Sequence, residues 1–202
     1  MKRCLFIRRS LGLGVAMAAF AAVPAQAASA SVDTSMCSAG EFSQPFLSAK
    51  DSNWYTLLPG DGVDNFNGSG WELSGGASIQ TTTLADGTTG TVLDLPSGSE
   101  ASSPTICVMS NYPSARTMVR NVTGAEGVQF FVSYAGTKTW STPKNTGQIH
   151  GSNTSWTVAN PVNLQPEKKT EGWQPMRITL IPGGKTSRFD VYNLYIDPRM
   201  SH

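Results

Sequence analysis

The sequence predicts a single all-β domain, an antiparallel β-sandwich, and three observations carry this prediction. Many short segments rich in β-branched and aromatic residues are separated by turn sequences. Several of these segments alternate apolar and polar residues with the period of two that is typical of a half-buried strand. No segment after the first 27 residues repeats apolar residues every 3.6 positions over three turns, so helices between the strands are not expected.

The N-terminal 27 residues predict an export signal that is removed from the mature protein. A positive region opens the chain, with Lys2, Arg3, Arg8 and Arg9. An apolar run over 11–23 follows, then the small residues of Ala25-Gln26-Ala27, after which signal peptidase is expected to cleave. The run is shorter than the about 20 residues of a membrane-spanning helix. The pair Arg8-Arg9 also resembles a twin-arginine signal, so the export route stays open.

Cleavage leaves about 175 residues, enough for one well-buried domain. We expect 28–36 to be a flexible arm, because it is small and polar, and 37–199 to be the sandwich. Removing four of the 15 basic residues leaves 11 against 14 acidic residues, a formal net charge of −3. This mildly acidic balance argues against nucleic-acid binding through phosphate neutralisation. We therefore expect a secreted, extracellular or periplasmic monomer that does not insert into a membrane.

Seven segments are predicted strands, and the turn sequences between them include Ala85-Asp86-Gly87 and Pro182-Gly183-Gly184. The strands are 77–83, 91–95, 105–109, 115–120, 127–134, 175–181 and 188–196. In 127–134 the residues on one face by period-two spacing are Val128, Phe130, Val132 and Tyr134.

The cysteines predict one disulfide bond. Cys4 is lost with the signal, which leaves Cys37 and Cys107. Two cysteines in an exported chain usually pair, because the compartment is oxidising. A bond that closes a loop of this length contributes about 4 kcal/mol on the chain-entropy model. The alternative is two buried free thiols.

Several motifs follow one another in a distinctive order around the two cysteines. Tyr55 to Gly60 has the form Tyr-x-Leu-x-Pro-Gly, and 71–77 reads Trp-Glu-Leu-Ser-Gly-Gly-Ala. Leu-Asp-Leu-Pro-Ser-Gly-Ser follows at 93–99, and the chain closes on Leu-Tyr-Ile-Asp-Pro-Arg at 194–199. In this order the motifs resemble those of a family of secreted bacterial proteins that is common in actinobacteria. The resemblance covers essentially the whole mature chain.

That family is similar to the galactose-binding-domain-like jelly rolls, which include many carbohydrate-binding modules. The resemblance implies a jelly-roll sandwich and a non-catalytic carbohydrate-binding function. In such modules, acidic residues on the first and last strands can hold a structural calcium. Here Val63-Asp64 and Tyr192-Asn193 stand at those places, so only Asp64 and Asn193 remain as oxygen donors, with Asp61 and Asp190 nearby. Calcium takes six to eight oxygens, so the two missing carboxylates argue against a calcium site, and no other cofactor is expected.

Catalytic residues are hard to find. The mature chain has two histidines, His150 in a loop-like segment and His202 at the C-terminus. Neither has an evident nucleophile or orienting partner in the sequence. A glycoside hydrolase needs two carboxylates, and the closest pair, Glu167 and Glu171, flanks Lys168-Lys169 in a solvated loop. We therefore do not expect an enzyme. A small glycoside hydrolase is the least favoured alternative, after a carbohydrate-binding module and a structural or adhesive protein.

Three tryptophans in polar, loop-like surroundings are the predicted ligand-binding residues: Trp140, Trp156 and Trp173. An aromatic ring beside hydroxyl and amide groups suits a sugar, whose apolar face stacks on the ring. The alternative is that these rings cap the ends of the sheets, in a structural or adhesive surface protein with protein partners. Trp71 is expected in the core, and Trp54-Tyr55 is expected to pack at the start of the sandwich.

Overall fold

A computed structural model of the chain describes residues 31–37, 41–58, 61–62, 65–66, 70–109, 113–152, 154–164 and 172–197, with 61–62 and 65–66 as backbone only. Every described residue belongs to one compact unit, Ser31–His202. The predicted export signal over 1–27 lies outside the described residues. So do several residues singled out above, namely Asp64, Glu167, Glu171 and His202.

The described residues form strands and a single-turn 3-10 helix at Leu47–Ala49. The strands are β1 Thr56–Leu57, β2 Asp61–Gly62, β3 Asn65–Phe66, β4 Glu72–Ser74, β5 Ser78–Thr83, β6 Thr89–Pro96, β7 Glu100–Ser102, β8 Ile106–Met109, β9 Ser114–Thr123, β10 Val128–Tyr134, β11 Lys144–Ile149, β12 Thr157–Val158, β13 Val162–Asn163, β14 Trp173–Pro182 and β15 Arg188–Asp197. All seven predicted strands are confirmed. Among the described residues, no helix is both long and apolar enough to cross a bilayer.

The strands pair into two main antiparallel sheets. The seven-stranded sheet has the order β12-β9-β15-β6-β5, with β1 also pairing with β15 and β13 with β9. The six-stranded sheet has the order β11-β10-β14-β7-β4, with β8 also pairing with β14. β2 and β3 form a separate hairpin. The predicted antiparallel sandwich is therefore confirmed.

The core lies between the two sheets and follows from the alternation in the sequence. Phe130 and Val132 of β10 and Ile178 of β14 are buried on the inner side of the six-stranded sheet. Leu93 and Val191 belong to the same apolar cluster and come from the seven-stranded sheet. Full burial of such a side chain stabilises the fold by about 1.5–3 kcal/mol. Trp71 joins this cluster, as the sequence predicts.

A disulfide and an N-terminal segment, residues 41–58, connect the two sheets. Cys37 is bonded to Cys107 on β8 of the six-stranded sheet, with their Cα atoms 5.5 Å apart, which confirms the predicted pair. Beyond the cysteine, the N-terminal segment packs on the other sheet. The ring of Phe46 meets Tyr55 and Tyr195 of β15 edge-on, with centroid distances of 5.2 and 5.5 Å.

The expectation that Trp54 packs at the start of the sandwich is wrong. Its side chain is 57% exposed, whereas Tyr55 is fully buried. Successive residues of an extended segment point to opposite sides, so only one of the two can take the inner position. Tyr55 takes it, packs against Phe46, and donates a hydrogen bond from its hydroxyl to Asp51 Oδ2 at 2.7 Å.

Candidate ligand-binding face

The outer surface of the seven-stranded sheet carries charged side chains in cross-strand register. Asp190 on β15 stands opposite Asp94 on β6 on one side and opposite Arg120 on β9 on the other. Their neighbours along the strands, such as Leu93 and Val191, belong to the core. Because side chains alternate between the two faces of a strand, the charged row points away from the core.

Each carboxylate of this row is paired with a guanidinium. Arg120 Nε donates to Asp190 Oδ2 at 2.8 Å, and Arg188 Nε donates to Asp94 Oδ1 at 2.5 Å. The Asp94 and Asp190 side chains are only 3% and 6% exposed, but that of Arg188 is 42% exposed. The carboxylates therefore lie beneath the guanidinium groups, and Arg188 presents unused N–H donors to solvent.

The electrostatics of the row follow from this burial. Burial raises the pKa of Asp190 above its ordinary value, and the hydrogen bond and charge of Arg120 oppose the rise. The hydrogen bond to Asp94, and then its charge, raises the pKa of Arg188. Arg188 therefore remains a fixed hydrogen-bond donor across the physiological range.

The seven-stranded sheet curls toward this row. Trp156 directly precedes β12 at one edge of the sheet, and Thr83 ends β5 at the other edge. Even so, Trp156 Nε1 donates to the carbonyl oxygen of Thr83 at 3.0 Å, and Arg120 Nη2 donates to Thr82 Oγ1 at 2.6 Å. In a flat sheet those edges would stand about 19 Å apart, because neighbouring strands are about 4.8 Å apart. The outer face is therefore concave, and we call it the curled face.

Aromatic and amide groups complete the curled face. The Arg120 guanidinium lies 4.9 Å from the centre of the Trp156 ring, and Tyr192 meets that ring at 5.9 Å. The exposed Gln80 accepts from Arg188 Nη2 at 3.2 Å and donates to Asp94 Oδ2 at 3.3 Å. The residues of the curled face are thus Gln80, Thr82, Asp94, Arg120, Trp156, Arg188, Asp190 and Tyr192.

The three predicted ligand-binding tryptophans are divided between the two sheets. Trp156 lies on the curled face, where its ring contacts Arg120 and Tyr192. Trp140 lies in the loop between β10 and β11, where the guanidinium of Arg177 on β14 is 4.9 Å from its ring centre. Trp173 is the half-buried first residue of β14, opposite Met109 of β8. Trp173 is therefore part of the six-stranded sheet and Trp140 contacts that sheet, so the structure does not bring either of them together with Trp156 on one face.

The charged residues of the curled face were not predicted as a site, although the sequence holds a signal for them. Asp94 stands between Leu93 and Leu95, and Asp190 between Phe189 and Val191. A charged residue at the outer position of a strand with apolar neighbours is buried only where something covers that face. The sequence does not show which strands lie side by side, so it could not join these two positions.

The calcium candidate Asn193 lies at a bulge in β15. The register with β9 shifts between Tyr192 and Tyr195, and Asn193 there adopts a positive φ of 52°, which asparagine tolerates. Its Oδ1 is buried and accepts no hydrogen bond, so it fits one oxygen ligand of a calcium ion. Asp64 lies outside the described residues, and Asp190 is held by Arg120. Within the described ranges, no three His, Cys, Asp or Glu side chains are grouped to hold a metal.

No family model matches this sequence, and no curated protein matches it. Solved structures do match. The CBM22-1 and GH10 modules of Clostridium thermocellum endo-1,4-β-D-xylanase 10B, complexed with xylohexaose, give a TM-score of 0.52 at 16% identity, over 73% of this chain and 29% of that one. The CBM22-1 xylan-binding domain of Paenibacillus barcinonensis Xyn10C gives 0.45 at 13% identity, over 65% and 88%. TmCBM61 in complex with β-1,4-galactotriose gives 0.42 at 10% identity, over 71% and 98%. At these identities the likeness concerns the fold, a jelly-roll β-sandwich.

Proposed function

We propose that this protein is an exported, non-catalytic carbohydrate-binding module and that its curled face binds a polysaccharide. The observation that carries the proposal is the combination, on one concave sheet face, of exposed hydrogen-bonding groups and two aromatic rings. Sugar-binding sites need both, because the ring packs against the apolar face of a sugar while polar groups meet its hydroxyls. The disulfide supports export, since such bonds persist in oxidising compartments.

The energetics of the buried charges support a functional role for this face. Burying a carboxylate has a desolvation cost that its partner guanidinium often does not offset, so the two nearly buried carboxylates are not explained by stability alone. Asp94 does, however, accept hydrogen bonds from both Arg188 and Gln80, and Arg188 also donates to Gln80, so these two exposed side chains are held in place. Polar groups held in this way lose little side-chain entropy when a ligand binds.

The charge balance of the curled face favours a neutral polysaccharide. Arg120 and Arg188 are each paired with one carboxylate, so the face carries no excess charge to attract an acidic glycan. The matched solved structures contain xylohexaose and β-1,4-galactotriose, and both are neutral oligosaccharides. We take these two as the first probes for this protein.

Titration calorimetry with both oligosaccharides tests the proposal. Gln80→Ala removes an exposed donor and acceptor from the curled face, and we expect it to weaken binding by about tenfold, equivalent to about 1.4 kcal/mol. Asn53→Ala is the control, an exposed amide on the N-terminal segment, and should bind as the wild type does. Wild-type affinity in Gln80→Ala would contradict the assignment of the face, and failure to bind either probe would contradict the proposed ligand class.

We also propose Asn193 as one ligand of a structural calcium. Its buried, unpartnered Oδ1 supports this, and so does the position of the N-terminal segment. The Leu58 backbone N–H donates to the carbonyl oxygen of Leu194 at 3.0 Å, so Leu58, at the end of that segment, lies beside the bulge. A bound calcium ion would be the partner that this buried oxygen lacks.

A further inference from the structure

The outer surface of the six-stranded sheet carries a row of side chains that crosses five strands in register. Glu72 of β4 stands opposite Ser102 of β7, which stands opposite Thr179 of β14. Thr179 in turn stands opposite Phe131 of β10, and Phe131 opposite Asn145 of β11. We call this set the outer row. It spans four strand spacings, so it is about 19 Å long.

The outer row faces away from the core. The strand neighbours of its members, such as Ala101, Phe130 and Leu180, are fully buried. Glu72 and Asn145 at its two ends are exposed, and Ser102, Phe131 and Thr179 are half-buried. The Ser102 and Thr179 hydroxyls lie 2.8 Å apart and hydrogen-bond to each other. The row therefore offers a carboxylate, two hydroxyls, an aromatic ring and an amide along one line.

Trp140 lies beside the outer row. Arg177, two residues before Thr179 on β14, shares its face and holds the Trp140 ring by the cation–π contact described above. Arg177 Nη1 also contacts Glu72 Oε1 at 3.3 Å, so the arginine links the indole ring to one end of the row. Trp140 remains 38% exposed. An ion pair and a large, partly exposed aromatic ring are thus held together on this face.

The chemistry of the outer row favours a sugar over a protein partner. The buried centre of a protein interface is depleted in charged residues and rich in apolar ones. Here, a hydroxyl pair occupies the centre of the row, and the charges of Arg177 and Glu72 balance each other. Neutral polar groups beside one exposed indole complement the hydroxyls and the apolar face of a neutral glycan.

We propose that the outer row and Trp140 form a second glycan-binding surface, on the opposite sheet from the curled face, so that one molecule joins two polysaccharide chains. This inference relies on the proposed function for the class of ligand but not for the location of the site. The row is long enough for an extended oligosaccharide of several sugars. Glu72, Ser102, Thr179 and Asn145 would meet its hydroxyls, while Phe131 and Trp140 would contact its apolar faces.

Calorimetry with xylohexaose and turbidity with soluble xylan test the second surface. The wild-type protein should bind two xylohexaose molecules per chain and should make xylan solutions turbid by cross-linking. Trp140→Ala and, independently, Asn145→Ala should reduce the stoichiometry to one and abolish the turbidity. Trp54→Ala is the matched control, because that tryptophan is more exposed and lies on the N-terminal segment. Melting temperatures of all variants establish that they are folded.

The outcomes separate this inference from the proposed function. One site per chain that is lost in Gln80→Ala and kept in Trp140→Ala would overturn the second surface and leave the curled face in place. One site that is lost in Trp140→Ala and kept in Gln80→Ala would support the outer row and overturn the curled face. An equal loss in Trp54→Ala, or no binding of either probe, would overturn the second surface.

Discussion

Trp156 is held by three partners at once: the Thr83 carbonyl, the Arg120 guanidinium and the Tyr192 ring. Its indole joins the two edges of the curled sheet, so Trp156→Ala should remove one hydrogen bond and much of the packing that closes the curl. We expect a loss of about 2–3 kcal/mol of unfolding free energy. Trp140→Ala should lose under about 1 kcal/mol, because that ring is exposed and contacts one arginine. Urea denaturation of both variants measures this, and equal losses would contradict the assignment of different roles.

Asp51 gives the protein a pH-dependent stability. Its burial tends to raise the pKa of this carboxyl, but hydrogen bonds from the Asn53 backbone, Tyr55 and Arg116 lower it overall. The stabilising contribution is therefore fully present above the ordinary value of 3.8 and is lost as the pH falls through the lower, folded value.

We expect Asp51→Asn to lose about 2 kcal/mol at neutral pH and little in strong acid. Unfolding free energies of the wild type and the variant, measured from neutral to acidic pH, should converge as the pH falls. A constant difference between the two proteins would show that Asp51 acts through packing rather than through its charge.

The buried, unpartnered Oδ1 of Asn193 leads us to predict that calcium stabilises the protein. If its Oδ1 ligates the ion, calcium at about 100 times its dissociation constant should stabilise the protein by about 2.7 kcal/mol and raise the melting temperature by several degrees. Chelation should reverse the rise, and Asn193→Ala should reduce it. Magnesium is the control, because it prefers a smaller and stricter shell of oxygens. An unchanged melting temperature with calcium would contradict the proposed ligand.

At the scale of elements, the disulfide and the N-terminal segment act together. The Cys37–Cys107 bond closes a separation of 70 residues, and the segment that follows it places Phe46 against Tyr55 and Tyr195. Cys37→Ser combined with Cys107→Ser should lower the unfolding free energy by about 4 kcal/mol. Urea denaturation with and without reductant measures this. Reductant should destabilise the wild type alone, and a double variant as stable as the oxidised protein would contradict the prediction.

The long strands could be predicted from the sequence because they carry their own alternation, as β10 does with Val128, Phe130 and Val132. β11, Lys144–Ile149, was missed because it has one apolar residue, and it is a strand because β10 offers it a paired edge. The two-residue strands β12 and β13 were missed for a similar reason, since both exist only by pairing with β9. Such elements depend on a partner strand, which a local pattern does not contain.

At the scale of the whole molecule, the sandwich could be predicted but the curled face could not. The face joins β5, β6, β9 and β15, with Gln80 and Arg188 separated by 108 residues. Period-two spacing shows that Asp94, Arg120 and Asp190 take outer positions, but only strand order and register make them neighbours. The three tryptophans can be selected from the sequence because they are large and lie in polar surroundings. Only the topology shows that Trp156 contacts the seven-stranded sheet, whereas Trp140 and Trp173 contact or belong to the six-stranded sheet.

A crystal structure of the protein bound to xylohexaose would show whether the curled face holds a polysaccharide. We predict a sugar in the concave surface, with hydroxyls within about 2.7–3.2 Å of Arg188 and Gln80. Tyr192 and Trp156 should line the same sugar. An oligosaccharide bound elsewhere on the protein, with the curled face occupied by solvent alone at saturating ligand, would contradict the claim.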